Sequence, residues 1–153
     1  MINFKDLGLS DEILGALKTQ GIFNPTPIQE QSIKLIKDGS DVIGEAQTGT
    51  GKTLAFLLPM FENISPDLDV IQGLIVTPTR ELAIQITQEA KKLKAGKDLN
   101  ILAAYGGKDI TAQLKKLKRS IHLVIATPGR LLDHLRRNTI DLDGLKTLVL
   151  DEA

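Results

Sequence analysis

The chain contains no cysteine, so it has neither a disulfide nor a thiolate metal site. It has no tryptophan and only 3% aromatic residues. Sequence-specific reading of RNA through stacked bases is therefore disfavoured, and any nucleic-acid contact should run through the sugar-phosphate backbone. Net charge is lacking as well: 19 basic residues balance 19 acidic ones, whereas a dedicated nucleic-acid binder is usually basic overall. No apolar run approaches the roughly 18 residues that suggest a membrane span. The segment Met1 to Asp6 lacks the basic stretch and apolar core of a secretory signal. These absences lead us to expect a cytoplasmic protein without membrane partners.

What is present suffices for one folded domain: 153 residues, 42% of them hydrophobic and 25% charged. Basic residues cluster at Lys91, Lys92, Lys94 and Lys97, at Lys115, Lys116, Lys118 and Arg119, and at Arg136 and Arg137. Each cluster reads as the solvated face of a helix.

Short continuous apolar runs alternate with helical patterns. The runs are Val42-Ile43, Leu74-Ile75-Val76, Ile101 to Ala104, Leu123 to Ala126 and Leu148-Val149-Leu150. Continuous rather than alternating apolar residues are the mark of strands covered on both faces, as in a parallel sheet. Between them, Leu82, Ile86, Ala90 and Leu93 repeat at helical spacing, as do Ile110, Leu114 and Leu117, and Leu131, Leu132 and Leu135. Two more helices precede the first run. One is capped by Ser10 and stopped at Gly21. The other opens Thr26-Pro27-Ile28-Gln29, a capping-box pattern with proline at the first helical position. The alternation predicts a doubly wound α/β domain with helices on both faces of the sheet. Pro59 should kink the helix that holds it or mark its late part. Asn63 to Asp69 and Asn138 to Gly144 are expected to be exposed loops.

The central motif is Ala46-Gln47-Thr48-Gly49-Thr50-Gly51-Lys52-Thr53, set between the expected strand Asp41 to Gly44 and the helical stretch from Leu54. It is a P-loop with alanine at its first position. Gly49 and Gly51 let the backbone approach a triphosphate, and successive N–H groups form an anion nest. The following helix contributes its positive end. Lys52 suits the β- and γ-phosphates and Thr53 suits Mg²⁺. Asp151-Glu152-Ala153 ends the last apolar run, as a Walker B site does. Asp151 is expected to hold Mg²⁺, and Glu152 to orient or deprotonate the attacking water. These assignments require the Lys52 loop and the acidic pair to face one pocket.

Further motifs narrow the class. Gly21-Ile22-Phe23-Asn24-Pro25-Thr26-Pro27-Ile28-Gln29 resembles the Q motif of DEAD-box RNA helicases. Pro78-Thr79-Arg80-Glu81-Leu82-Ala83 resembles their motif Ia, Gly106-Gly107 their glycine pair, and Thr127-Pro128-Gly129-Arg130 their motif Ib. Asp151-Glu152-Ala153 matches the first three letters of the family name. The resemblance runs from Phe4 to the last residue. It implies an incomplete N-terminal RecA-like ATP-binding domain over 1–153, with a Q-motif segment over 4–29. It implies ATP and Mg²⁺ as cofactors, with Gln29 reading the adenine edge and Phe4 stacking on the base. Gln47, Thr48, Gly49, Thr50, Gly51, Lys52 and Thr53 would hold the phosphates. Arg80, Gly107, Thr127 and Arg130 would contact RNA phosphates and riboses. The second RecA-like domain and the Ser-Ala-Thr motif are not in this sequence, so the chain alone is expected to bind nucleotide weakly and not to unwind RNA. Other P-loop enzymes, such as a DNA translocase or a small-molecule kinase, and a non-catalytic RNA-binding module remain the alternatives.

Overall fold

The computed structural model describes residues 1–94 and 97–152. Ala153, the third letter of the acidic motif, lies outside them. The chain divides into two compact units, Met1–Asn63 with Lys92–Lys97, and Ile64–Lys91 with Asp98–Ala153.

The first unit opens with a 3-10 turn, Phe4–Leu7, followed by α1 (Asp11–Thr19), α2 (Pro27–Lys37) and α3 (Lys52–Asn63). Ser10 caps α1 as expected; its hydroxyl accepts from the Ile13 N–H. Glu62 in turn accepts from both the N–H and the hydroxyl of Ser10. Gly21 adopts a left-handed φ of 73° after α1, where a side chain would be strained. The core of this unit is built from Ile13, Leu17, Ile33, Leu57, Leu58, Met60 and Phe61, all fully buried, with α2 packed along α3. The helix α3 continues past Pro59 to Asn63, so the proline marks its second half.

The sequence also predicts a strand over Asp41 to Gly44, and the structure differs there. Residues 41–47 have no regular secondary structure, Val42 is 38% exposed and Ile43 is 95% exposed. A strand exists only through a ladder to a neighbour. Among the described residues no strand pairs with this segment, so its β-branched pair has no ladder to join.

The second unit contains a four-stranded parallel sheet in the order β2-β3-β1-β4. Its elements are β1 (Gly73–Val76), α4 (Arg80–Leu93), β2 (Ile101–Ala104), α5 (Ile110–Leu117), β3 (Leu123–Ala126), α6 (Pro128–Arg136) and β4 (Thr147–Leu150). The register pairs Ile75 with both Ile125 and Val149. All four strands fall on the apolar runs. One core cluster gathers Leu74, Leu102, Val124, Ala126, Leu131 and Ile140. The helical stripes are partly redrawn. Ala83, rather than half-buried Leu82, heads the buried row of α4 that continues through Ile86, Ala90 and Leu93. In α6 Leu132 is 47% exposed, whereas His134 is fully buried beside Leu131. The loop from Ile64 is pinned by two buried polar residues. The Gln72 amide exchanges a reciprocal pair of bonds, each 2.8 Å, with the Ser65 backbone. His122 accepts from the Asn100 N–H at Nδ1 and donates from Nε2 to the Pro66 carbonyl.

Candidate functional site

The candidate residues form two groups, one in each compact unit. In the first unit the P-loop leads into α3, whose first residue is Lys52. Gly49 and Gly51 have φ of 82° and 88° on either side of Thr50. Alternating left-handed glycines turn consecutive N–H groups inward, as an anion nest requires. The Thr50 hydroxyl donates to the Gln47 carbonyl and closes the turn. Lys52 and Thr53 are half-buried at the positive end of α3. The loop suits a triphosphate in that two of its positions carry no side chain and α3 presents its positive end, while the Thr50 N–H donates to the Gln47 carbonyl at 3.3 Å.

Gln29 is joined to the same loop. It is only 2% exposed. Its Oε1 accepts from the Thr26 N–H at 2.9 Å, and its Nε2 donates to the Gly51 carbonyl at 3.1 Å. A Cβ built on Gly51 would lie 2.4 Å from Gln29 Nε2 and 3.0 Å from Thr26 Oγ1. The capping-box residue thus buttresses the P-loop, and its amide keeps one N–H and one lone pair beyond these bonds. The Thr26 hydroxyl is buried with no hydrogen-bond partner, so the box closes only from the Gln29 side. Phe4 is 3% exposed and belongs to the core. It also lines a shallow cavity of about 340 Å³ with Leu14, Leu17, Ile22 and Phe23.

In the second unit the sheet collects the other candidates along one edge. Because all strands are parallel, the segments after β2, β3, β1 and β4 emerge side by side. They carry, in that order, Gly106-Gly107, Thr127 to Arg130, Thr77 to Arg80, and Asp151-Glu152. The carboxyl ends of parallel strands are where α/β folds bind ligands. The Asp151 N–H extends the β1–β4 ladder by donating to the Val76 carbonyl at 2.9 Å. Glu152 has a left-handed φ of 56°, a conformation that costs a non-glycine residue energy and clusters at functional sites.

Arg80 and Gly107 meet. A Cβ on Gly107 would lie 2.6 Å from Arg80 Nη1, and Gly107 has a φ of 83°. The Arg80 guanidinium and the Lys108 ammonium each lie 5.5 Å from the Tyr105 ring centroid, within cation–π range. Arg130 is tethered to the same loop: Nη2 donates to the Lys108 carbonyl at 3.0 Å and Nη1 to Gln113 Oε1 at 3.4 Å. The two threonines that precede helices differ. Thr79 Oγ1 accepts from the Leu82 N–H and caps α4. The Thr127 hydroxyl makes no cap bond to α6.

Sequence reasoning missed the network behind these loops. Buried Gln113 donates from Nε2 to the Tyr105 carbonyl, and its Oε1 accepts from His134 Nε2 at 2.8 Å. His134 Nδ1 is 2.8 Å from Thr139 Oγ1. Burial foremost, and then the Arg130 charge, hold the His134 pKa below its ordinary value of 6.5, so the ring is neutral. Since Gln113 Oε1 can only accept, Nε2 carries the proton of the neutral ring, and the Thr139 hydroxyl is shared between Nδ1 and the His134 carbonyl, which lies 3.1 Å away. The only trace of this in the sequence is a histidine on the buried stripe of α6. Thr77 was also missed; it is fully buried and its Oγ1 has no partner.

A glycine-shaped phosphate loop opening a helix, together with an acidic pair closing a strand of a parallel sheet, defines the P-loop class of α/β proteins. Within that class the chain belongs to the DEAD/DEAH box helicase family, whose model matches residues 26–153. It is 51% identical to the ATP-dependent RNA helicase CshA of Limosilactobacillus reuteri over 99% of this chain and 31% of that protein. It is 49% identical to the ATP-dependent RNA helicase CshA of Listeria monocytogenes over 100% of this chain and 29% of that protein. A crystal structure of a DEAD box protein from the hyperthermophile Methanococcus jannaschii matches with a TM-score of 0.92 at 42% identity, covering 98% of this chain and 41% of that one. The fold is therefore the expected RecA-like α/β arrangement. The chain spans about a third of the length of these relatives. Among the described residues no helix is long and apolar enough to cross a membrane.

Proposed function

We propose that this chain is the nucleotide-binding part of an ATP-dependent RNA helicase. The observation that carries the reading is the row of Gly107, Thr127, Arg130, Arg80, Asp151 and Glu152 along one sheet edge, joined to a P-loop elsewhere in the same chain. Bound ATP-Mg²⁺ supplies a phosphoanhydride whose hydrolysis releases free energy. The chain's own residues do the rest. The Gly49 to Thr53 loop cradles the phosphates and Lys52 neutralises them. Thr53 and Asp151 serve the metal, Glu152 orients or deprotonates the attacking water, and Gln29 and Phe4 take the adenine. Among the described residues no cluster of acidic or histidine side chains forms an all-protein metal cage. Mg²⁺ does not need one, since it usually keeps waters and phosphate oxygens as ligands.

Arg80 and Arg130 present guanidinium groups to phosphates, Gly107 admits a close backbone, and Thr127 offers a hydroxyl that caps nothing. This surface grips any RNA strand by its backbone. A second RecA-like domain would supply the remaining half of the grip, and the cytoplasm is the compartment we assign. The 153-residue chain by itself binds nucleotide weakly and does not unwind.

The test uses a protein in which this chain is joined to a second RecA-like domain. RNA, and not DNA, should stimulate its ATP hydrolysis. Glu152→Gln should lower kcat by about 10²–10⁴-fold with RNA binding retained, and Lys52→Ala should abolish ATP binding. Hydrolysis unaffected by Glu152→Gln would overturn the catalytic role of Glu152, and no hydrolysis by the unsubstituted protein would leave the non-catalytic RNA-binding module. Stimulation by DNA alone would favour the translocase.

A further inference from the structure

The strand ends do not exhaust the basic chemistry of the second unit. A cavity of about 280 Å³ lies between α4, β2 and α5, and Lys91, Lys108 and Lys116 stand on its border with Asp109 as the one acid. Asp109 is already committed: its carboxylate caps α5 by accepting from the Thr111 N–H and hydroxyl. Those two bonds, the backbone one first, hold its pKa below the usual carboxylate value. The lysines therefore set the charge of the cleft. Among the described residues, the Lys91 and Lys116 ammonium groups have no hydrogen bond or ion pair. The wall adds Gln88 and the nearly buried Tyr105 and Thr87.

This cleft is continuous with the Arg80–Gly107 pair. Lys108 follows Gly107 directly, and the Tyr105 ring lies under both Arg80 and Lys108. From there the lining descends one turn at a time, through Ile84, Thr87, Gln88 and Lys91 on α4 and through Ala112, Gln113 and Lys116 on α5. Its volume falls near the lower end of the roughly 300–1,000 Å³ of small-molecule pockets, enough for a nucleotide and too small for a helix. Tyr105 already holds two cations, so a base has no free ring to stack on. The chemistry left is recognition of phosphate by ammonium groups.

We propose that the α4–α5 cleft is an accessory phosphate subsite, in which Lys91, Lys108 and Lys116 bind the backbone of a single RNA strand continuing past Arg80 and Gly107. It rests on the RNA reading given above and adds a second stretch of contact to it. The basic residues of α4 and α5 are then a ligand surface as well as solvated helix faces.

The experiment measures binding of oligouridylates of increasing length, across a salt series, to the protein joined to its second RecA-like domain. Lys91→Ala/Lys116→Ala should leave the affinity for the shortest bound oligomer unchanged and remove the gain that added nucleotides give the unsubstituted protein. Each lost single-strand phosphate contact lowers the slope of log K against log salt by about 0.7, so the two substitutions should lower it by about 1.4 on long RNA. Lys91→Arg/Lys116→Arg should restore both. An unchanged slope and length dependence, with RNA still bound and Arg80→Ala still weakening it, overturns the subsite and leaves the helicase reading intact. No RNA binding by the unsubstituted protein overturns both. Binding of inorganic pyrophosphate that needs Lys91 and Lys116, with the RNA slope unmoved, assigns the cleft to a free phosphorylated small molecule and likewise overturns the RNA path.

Discussion

Gly106 and Gly107 are adjacent and chemically identical, yet only one is constrained. Gly107 has a left-handed φ, and a Cβ there would meet the Arg80 guanidinium; at Gly106 a Cβ meets nothing within 4 Å. Gly107→Ala therefore costs about 1–3 kcal/mol of backbone strain and displaces Arg80. A charge-assisted phosphate bond is worth about 1.5–3 kcal/mol, so RNA affinity should fall about tenfold or more. Gly106→Ala should bind RNA as the unsubstituted protein does. Equal losses in an RNA titration of both variants would mean that the pair acts only as a flexible loop. His134 gives a second prediction. Its folded pKa lies below 6.5, so below that pH the unfolded chain binds the extra proton more readily. Stability is thus complete above about pH 6.5 and falls as the solution is acidified through the window beneath it. His134→Gln removes this titration. Urea unfolding should show a shallower loss below about pH 6.5 in the variant, beside a loss of about 1 kcal/mol at neutral pH for the Thr139 bond. Parallel pH profiles would show that His134 is not held neutral. The histidine was illegible in the sequence because its partners, Gln113 and Thr139, come from segments on either side of α6, and spacing alone does not reveal them.

At the scale of elements, legibility follows from whether the stabilising contact is local. Ser10 and the left-handed Gly21 are local devices, and the structure has them where the sequence predicts them. The strands β1 to β4 are legible because apolar runs of about four residues between turn signals fit a sheet buried by its crossovers. Residues 41–44 carry the same signal, but a ladder needs a neighbour and composition does not supply one. The opening of α2 combines local and distant bonds, and this makes it testable. The Gln29 carboxamide holds the Thr26 N–H through its oxygen and the Gly51 carbonyl through its nitrogen. Gln29→Glu keeps the acceptor, and a carboxylate suits the first turn of a helix. It also replaces a donor with a negative oxygen facing the Gly51 carbonyl. The melting temperature should fall, because position 29 is only 2% exposed and a carboxylate there faces a carbonyl, and ATP binding should weaken clearly. Gln29→Ala loses both bonds and should also destabilise the chain by about 0.5–2 kcal/mol, the usual cost of a lost cap. If Gln29→Glu binds ATP like the unsubstituted protein in a nucleotide titration, the bond to Gly51 plays no part in shaping the P-loop.

For the whole molecule, the decisive feature is the open side of the sheet. Among the described residues strand β4 pairs with β1 on one side only, and alternate residues on it, Leu148 and Leu150, are 53% and 60% exposed. Ile43, in the other unit, is 95% exposed. A flat edge with unpaired backbone groups and apolar side chains is a template for further pairing, and proteins that keep such edges in solution usually place lysine, proline or a bulge there. Strand β4, read Thr147-Leu148-Val149-Leu150, has none of these protections within it. The 153-residue chain should therefore self-associate as its concentration rises, with β4 as the contact. Leu148→Lys/Leu150→Lys puts charge on the exposed face without touching the half-buried Thr147 and Val149. Light scattering should show a smaller mass for this variant at the same concentration, while circular dichroism stays unchanged. The salt dependence separates this edge from pairing through charged patches: apolar pairing persists at high salt, whereas attraction between exposed charges is screened. A monomeric unsubstituted chain at every concentration would mean that β4 is already covered, and the exposure of Leu148 and Leu150 would then lose its meaning as an unfilled place in the sheet.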